Sequence, residues 1–311
     1  MDDNISFSSR IFTGIVEKVF VNLLRTYFKK SIITKREKMK FRFYLIIYGL
    51  IFGFFVSTLF SQFTKDEIQQ REIIEGFLLN AEIVKSEDVG EGVTKPLKVY
   101  LKLGDKEAKG VWKNPEGIQD GFLEGWRYEI AAYRMDKLLG LNMIPPTVER
   151  ELNGKKGSFQ YWVTAEFSLL KVMEENITMP SDTRELREKM KYLARVFDSL
   201  IANEDRTQQN ILYTKDWRTI LIDHSRSFRS SNKFTKQLMY GRNGIKGDNP
   251  FRRLPRIFVE RIEWLDFEKI KNAVDDYLSD QEIQAILIRK NLILDEIKSM
   301  IEEKGEAAVL Y

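Results

Sequence analysis

The sequence predicts an α+β chain folded into two lobes with a cleft between them, and three observations carry that prediction. The segment from Ala81 to about 165 is dominated by short alternating stretches, the segment from about 166 to the end is richer in helical periodicity, and a polar loop and hairpin lie between Leu200 and Phe228. Clefts between such lobes are where ligands usually sit.

Taken in order, "TKDEIQQREIIEGFL" (64–78) reads as a short linking helix. "AEIVKSEDV" is strand-like, "GEG" at Gly90 to Gly92 is a turn, and "TKPLKVYLKL" alternates on the way back. "EAKGVWK" is a third strand ending at Lys113, and "NPEGIQDGFLEG", with a proline and three glycines, reads as a loop. "WRYEIAAYRMDKLLG" is a helix from Trp126, closed by Gly140. "MIPPTVERELNGKKGSFQYWVTAE" follows as strand, Asn-Gly turn and strand. In the second half, 185–203 is amphipathic, "LYTKDWRTILID" is a hairpin turning around Asp216 to Arg218, and 267–277 and 280–303 are closing helices. The expected domain is 64–311, with lobes of about 81–165 and 166–311 and no internal repeat.

At 311 residues the chain can bury a substantial core. Lys+Arg (50) nearly balance Asp+Glu (46), a net charge of +4 that gives no strong nucleic-acid signal. With no cysteine and a single histidine, His224, disulfides, thiolate chemistry and multi-histidine metal sites are excluded.

"FYLIIYGLIFGFFVSTLF" (43–60) has no charged residue over 18 positions, near the lower limit for spanning a bilayer. Eight basic residues precede it between Arg25 and Arg42, so the expectation is a single-pass membrane protein with its N-terminus inside. A signal peptide starting at Met39, with export after cleavage, is the rival account. Residues 1–42 form a basic segment, and 11–33 fit either an anionic membrane surface or an ordinary amphipathic helix.

Three groups of residues carry possible chemistry. Asn210 opens one strand of the late hairpin and Asp223 closes the other, so pairing brings them together as oxygen ligands for a hard cation such as Mg²⁺. Asp205, in the loop before them, is placed to orient a hydroxyl or water, and phosphoryl transfer asks for such an array. The same residues also fit a polar hairpin whose carboxylates cap turns or pair with Arg206. Lys113 and Glu129 are a strand-end lysine and a helix glutamate whose pairing would hold an ammonium over a phosphate; an unrelated surface pair is the plainer account. Gly90 and Gly92 fit a phosphate-covering hairpin or a simple turn, and no Walker A loop is present. Tyr161 to Val163 fit the flank of a flat ligand or a cleft wall.

The ordered set "GVWK", "YEIAAYRMDKLLGLNMIPPTV", "GSFQYWV", "DRTQQN" and "IDHSRSF" resembles the atypical kinases of the phosphatidylinositol 3-/4-kinase-like superfamily, in particular a poorly characterised bacterial branch. The resemblance covers about residues 81–291 and implies an α+β, two-lobed, protein-kinase-like fold, here preceded by the N-terminal apolar helix. It implies ATP and Mg as cofactors. Lys113 would hold the ATP phosphates with Glu129 as its partner, and Gly90 to Pro96 would cover the phosphates. Gln160, Tyr161, Trp162 and Val163 would form the hinge beside adenine. Asp205 would be the catalytic-loop aspartate, with Asn210 and Asp223 as metal ligands. The chain departs from the family at Thr207, where members commonly carry histidine; base work then falls to Asp205, with His224 the only residue able to stand in. The implied function is an ATP-dependent phosphotransferase of unread acceptor: lipid, carbohydrate, protein or small molecule. The alternative is a nucleotide-binding pseudokinase serving as a membrane-tethered scaffold or sensor, and a plain interaction module is the third reading.

Overall fold

The computed structural model describes residues 65–90 and 95–311. The expected membrane helix or signal peptide, the basic N-terminal segment and Gly92 lie outside these residues. Among the described residues no helix is long and apolar enough to cross a membrane, so for these residues the expectation of a single-pass membrane protein with a membrane partner is corrected.

Two short helices, α1 (Lys65–Gln69) and α2 (Arg71–Asn80), lead into β1 (Glu82–Asp88), β2 (Leu97–Leu103) and β3 (Lys106–Lys113). After β3 the expected loop is in fact a hairpin, β4 (Glu116–Gln119) and β5 (Phe122–Gly125), which turns through Asp120 and Gly121, both at positive φ. Helix α3 (Trp126–Leu139) follows, then β6 (Thr147–Leu152) and β7 (Lys155–Tyr161). Strands β1-β2-β3-β7-β6 form one antiparallel sheet. Its buried face, including Val99, Leu101, Trp112, Val148 and Phe159, packs with Leu78 of α2 into one apolar cluster. Arg150 fastens α2 to the sheet by donating to the carbonyls of Leu78 (2.6 Å) and Ala81.

The second lobe begins with β8 (Phe167–Ser168), α4 (Leu169–Glu174) and α5 (Arg184–Leu200). Hairpin β9 (Ile211–Tyr213) and β10 (Thr219–Leu221) comes next, with β8 on its outer edge. Helices α6 (Asn232–Lys236), α7 (Arg256–Trp264), α8 (Phe267–Val274), α9 (Asp280–Lys304) and α10 (Glu306–Val309) complete it. Ser279 and Glu282 close a capping box at the start of α9.

Helix α3 is built into the larger core. Its Ala131, Ala132, Tyr133, Met135 and Leu139 share one cluster with α5, α7, α8 and α9. Tyr128 donates to Glu282 (2.6 Å), Arg134 reaches the Ala273 carbonyl (3.3 Å), and Trp126 meets Tyr277 edge-on at 6.4 Å. Gly140 takes the left-handed conformation that ends the helix (φ 65°).

Candidate active site

Close approach of β3 to β7 fixes Lys113. Gly157 faces it, and a Cβ there would lie 2.5 Å from the Lys113 carbonyl oxygen, so only glycine fits. The largely buried Lys113 Nζ lies 2.9 Å from Glu129 Oε1 and 2.9 Å from Asp223 Oδ1. Burial works against this ammonium, but Asp223 and Glu129 outweigh it and raise its pKa above the ordinary lysine value. Burial likewise opposes ionisation of Glu129; Lys113 and His224 outweigh it and hold the carboxyl well below the usual range. The His224 backbone N–H donates to Glu129 Oε2 at 3.0 Å.

The loop before β9 is organised by Arg206. Its guanidinium donates to both oxygens of buried Asp198 (3.0 Å each) and to the carbonyls of Asn210 (3.0 Å) and Ile222 (2.7 Å). The remaining hydrogen meets His224 Nε2 at 2.8 Å. Because arginine has no acceptor, Nε2 accepts, and the neutral ring carries its proton on Nδ1, 3.7 Å from Glu129. His224 is fully buried and its pKa is lowered, burial being the main cause. It therefore cannot stand in for the missing catalytic-loop histidine, and that expectation is corrected.

The β9–β10 register pairs Ile211 with Leu221, and the Ile222 N–H bonds the Asn210 carbonyl at 3.2 Å, so Asn210 and Asp223 emerge side by side at the hairpin's end. Asn210 Nδ2 donates to the Asp205 carbonyl (3.0 Å), leaving its amide oxygen for another partner. Asp223 adopts φ 61°, a conformation that costs a non-glycine residue energy and that clusters at functional sites. Among the described residues no three His, Asp or Glu side chains form a metal cage. The Asn210–Asp223 pair nevertheless suits Mg²⁺, which keeps waters and substrate phosphates among its oxygen ligands.

Asp205 Oδ2 meets Arg226 Nη1 at 3.2 Å; its pKa is raised, mainly by burial, with Arg226 opposing. Gly90 sits at φ 79°, and its N–H donates to Asp88 Oδ1 at 2.8 Å. At the far end of β7, Gln160 Nε2 donates to Thr147 (3.0 Å), and the N–H groups of Tyr161 and Trp162 bond Pro146 (2.8 Å) and Lys109 (2.9 Å). No hydrogen bond from the Val163, Thr164 or Ala165 N–H is found among the described residues, and the ladder resumes with Glu166, which donates to the Tyr213 carbonyl (2.9 Å). Ser225 and Arg226, which contact Asp223 and Asp205, and Glu124, which contacts both of them, were not singled out from the sequence; the only signal is that Ser225 and Arg226 lie two and three residues after Asp223.

Fold and site together define a two-lobed kinase-like domain. No protein-family model matches the chain, and no curated protein matches it in sequence. Among solved structures it is similar to hydra Fam20 with sugar, at TM-score 0.57 and 16% identity, covering 80% of this chain and 94% of that one. It is also similar to the Golgi casein kinase with Mn/ADP bound, at TM-score 0.57 and 16% identity, covering 81% and 80%. A second Golgi casein kinase structure gives 0.56 and 14%, covering 81% and 79%. At these identities the likeness concerns the two-lobed fold. It does not extend to the finer expectation of a phosphatidylinositol-kinase-like chain.

Proposed function

We propose that the chain is an ATP-dependent phosphotransferase. Lys113, braced by Glu129, holds the nucleotide phosphates. Asn210 and Asp223 hold Mg²⁺, and Asp205 orients the acceptor hydroxyl. Residues 160–163 lie beside adenine, with Val163 donating from its backbone, and the segment after β1, from Gly90, covers the phosphates. The observation that carries this reading is the Lys113 ammonium 2.9 Å from both Glu129 and Asp223, drawn from three separate elements. The bound cation would neutralise phosphate charge, while the protein's own part is positioning, the main demand of phosphoryl transfer. The Mn/ADP-bound Golgi casein kinase supports the choice of nucleotide and divalent cation. The finer affiliation with the phosphatidylinositol-kinase-like superfamily rests on the sequence motifs alone.

A second reading, nucleotide binding without transfer, is favoured by Thr207 together with the burial of His224, which leave Asp205 as the sole base. One experiment separates the two. The full chain is unfolded thermally with and without ATP and Mg²⁺, and the same samples are followed for ATP consumption and self-phosphorylation. Stabilisation that needs both ligands, with phosphate transferred, supports the transferase. Stabilisation alone supports the pseudokinase, and no shift in folded protein removes both.

A further inference from the structure

Resting on the transferase reading and deepening it, we propose that Glu124 is the positioning residue that holds Asp205 and Asp223 in register. Glu124 lies on hairpin β4–β5 and is only 2% exposed. Its Oε2 accepts from Ser225 Oγ at 3.1 Å, and the same hydroxyl lies 3.4 Å from Asp223 Oδ1. Its Oε1 accepts from Arg226 Nε (2.9 Å) and Nη2 (2.8 Å), while Arg226 Nη1 reaches Asp205 Oδ2 at 3.2 Å. One buried carboxylate thus touches one neighbour of each aspartate, Ser225 beside Asp223 and Arg226 beside Asp205.

The rest of the hairpin supports this placement. The Gly125 N–H donates to the Ser225 carbonyl (3.0 Å), Arg229 donates to the Leu123 carbonyl, and the Arg226 guanidinium lies 4.5 Å from the centre of the Phe122 ring. The charge on Glu124 divides the arginine. Two nitrogens are committed to Glu124, so a single arm remains for Asp205. A guanidinium freed from that anchor can take both oxygens of Asp205 in a bidentate pair, the favoured geometry for arginine and carboxylate. Asp205 would then be closed to an acceptor hydroxyl.

The test is steady-state transfer by the full chain with Mg·ATP. In Glu124→Gln, kcat falls by about 10- to 100-fold, the scale of a misplaced catalytic group, while KM for ATP stays within about threefold. Arg226→Gln added to Glu124→Gln frees Asp205, so the double variant transfers no more slowly than Glu124→Gln alone; losses that multiply would assign Glu124 a merely structural role and overturn the inference. Parental kcat in folded Glu124→Gln also overturns it. If the parent binds Mg·ATP but transfers nothing, the transferase reading fails, and crystal structures of parent and Glu124→Gln decide this point separately. Arg226 still on one oxygen of Asp205 in the variant counts against the inference, and a bidentate pair counts for it.

Discussion

Arg206 uses all five guanidinium hydrogens on five acceptors, which explains why an arginine sits beside so much apolar chain. Arg206→Met should strip Asp198 of its charged partner, leaving its carboxylate to the Asn203 amide, and destabilise the chain by about 3–5 kcal/mol, the usual cost of breaking a buried pair, measured by denaturant unfolding. Asp223→Ala should leave the fold intact and abolish Mg²⁺-dependent nucleotide binding, read by thermal shift or calorimetry. Asp205→Asn should spare that binding and reduce turnover by roughly 10²- to 10⁴-fold, the range of a lost general base. The juxtaposition of Asn210 and Asp223 was legible because strand pairing has fixed register. The fate of His224 was not: adjacency to Asp223 in sequence says nothing about which way a side chain turns at a left-handed backbone position.

At the scale of elements, β3 and β7 depend on Gly157. Gly157→Ala would drive a methyl into the Lys113 carbonyl and the Trp112 ring, at a cost of about 1–3 kcal/mol for overpacking. Because the displaced residue is Lys113, nucleotide affinity should fall along with the melting temperature, whereas a stability loss with unchanged affinity would show that the strand end tolerates the shift. Strands β1–β3, β6, β7, β9 and β10 and helices α3, α5, α8 and α9 follow the alternating and helical patterns of the sequence. Hairpin β4–β5 does not, because "EGIQ" and "FLEG" are four-residue strands containing Gly117 and Gly125, with Gly121 in the turn between them, and local propensity there favours a loop. Its contacts with Ser225, Arg226 and Arg229 are tertiary and more than a hundred residues away in sequence.

For the whole molecule, the pH dependence of stability includes a readable contribution from Asp136. This buried residue of α3 lies 3.6 Å from Arg71 of α2, and its carboxyl is pushed up to about 6 by burial. The folded chain therefore keeps a proton that the unfolded chain releases at ordinary carboxylate pH. Stability from this group is fully present below about 4 and is lost as pH rises towards about 6. Asp136→Asn should flatten that part of the curve relative to the parent, as seen in melting temperatures across the window; a parallel curve would refute the assignment. Helix α3 itself faces two ways, since it carries Glu129 into the cleft while its apolar side belongs to the core of the helical lobe. The same helix is also tied to the first lobe, since Tyr133 and Lys137 reach Glu75 and Asp136 reaches Arg71, both on α2. Bolted to both storeys, that rod keeps Lys113 and Glu129 at one spacing, so the ammonium is seated by the frame itself.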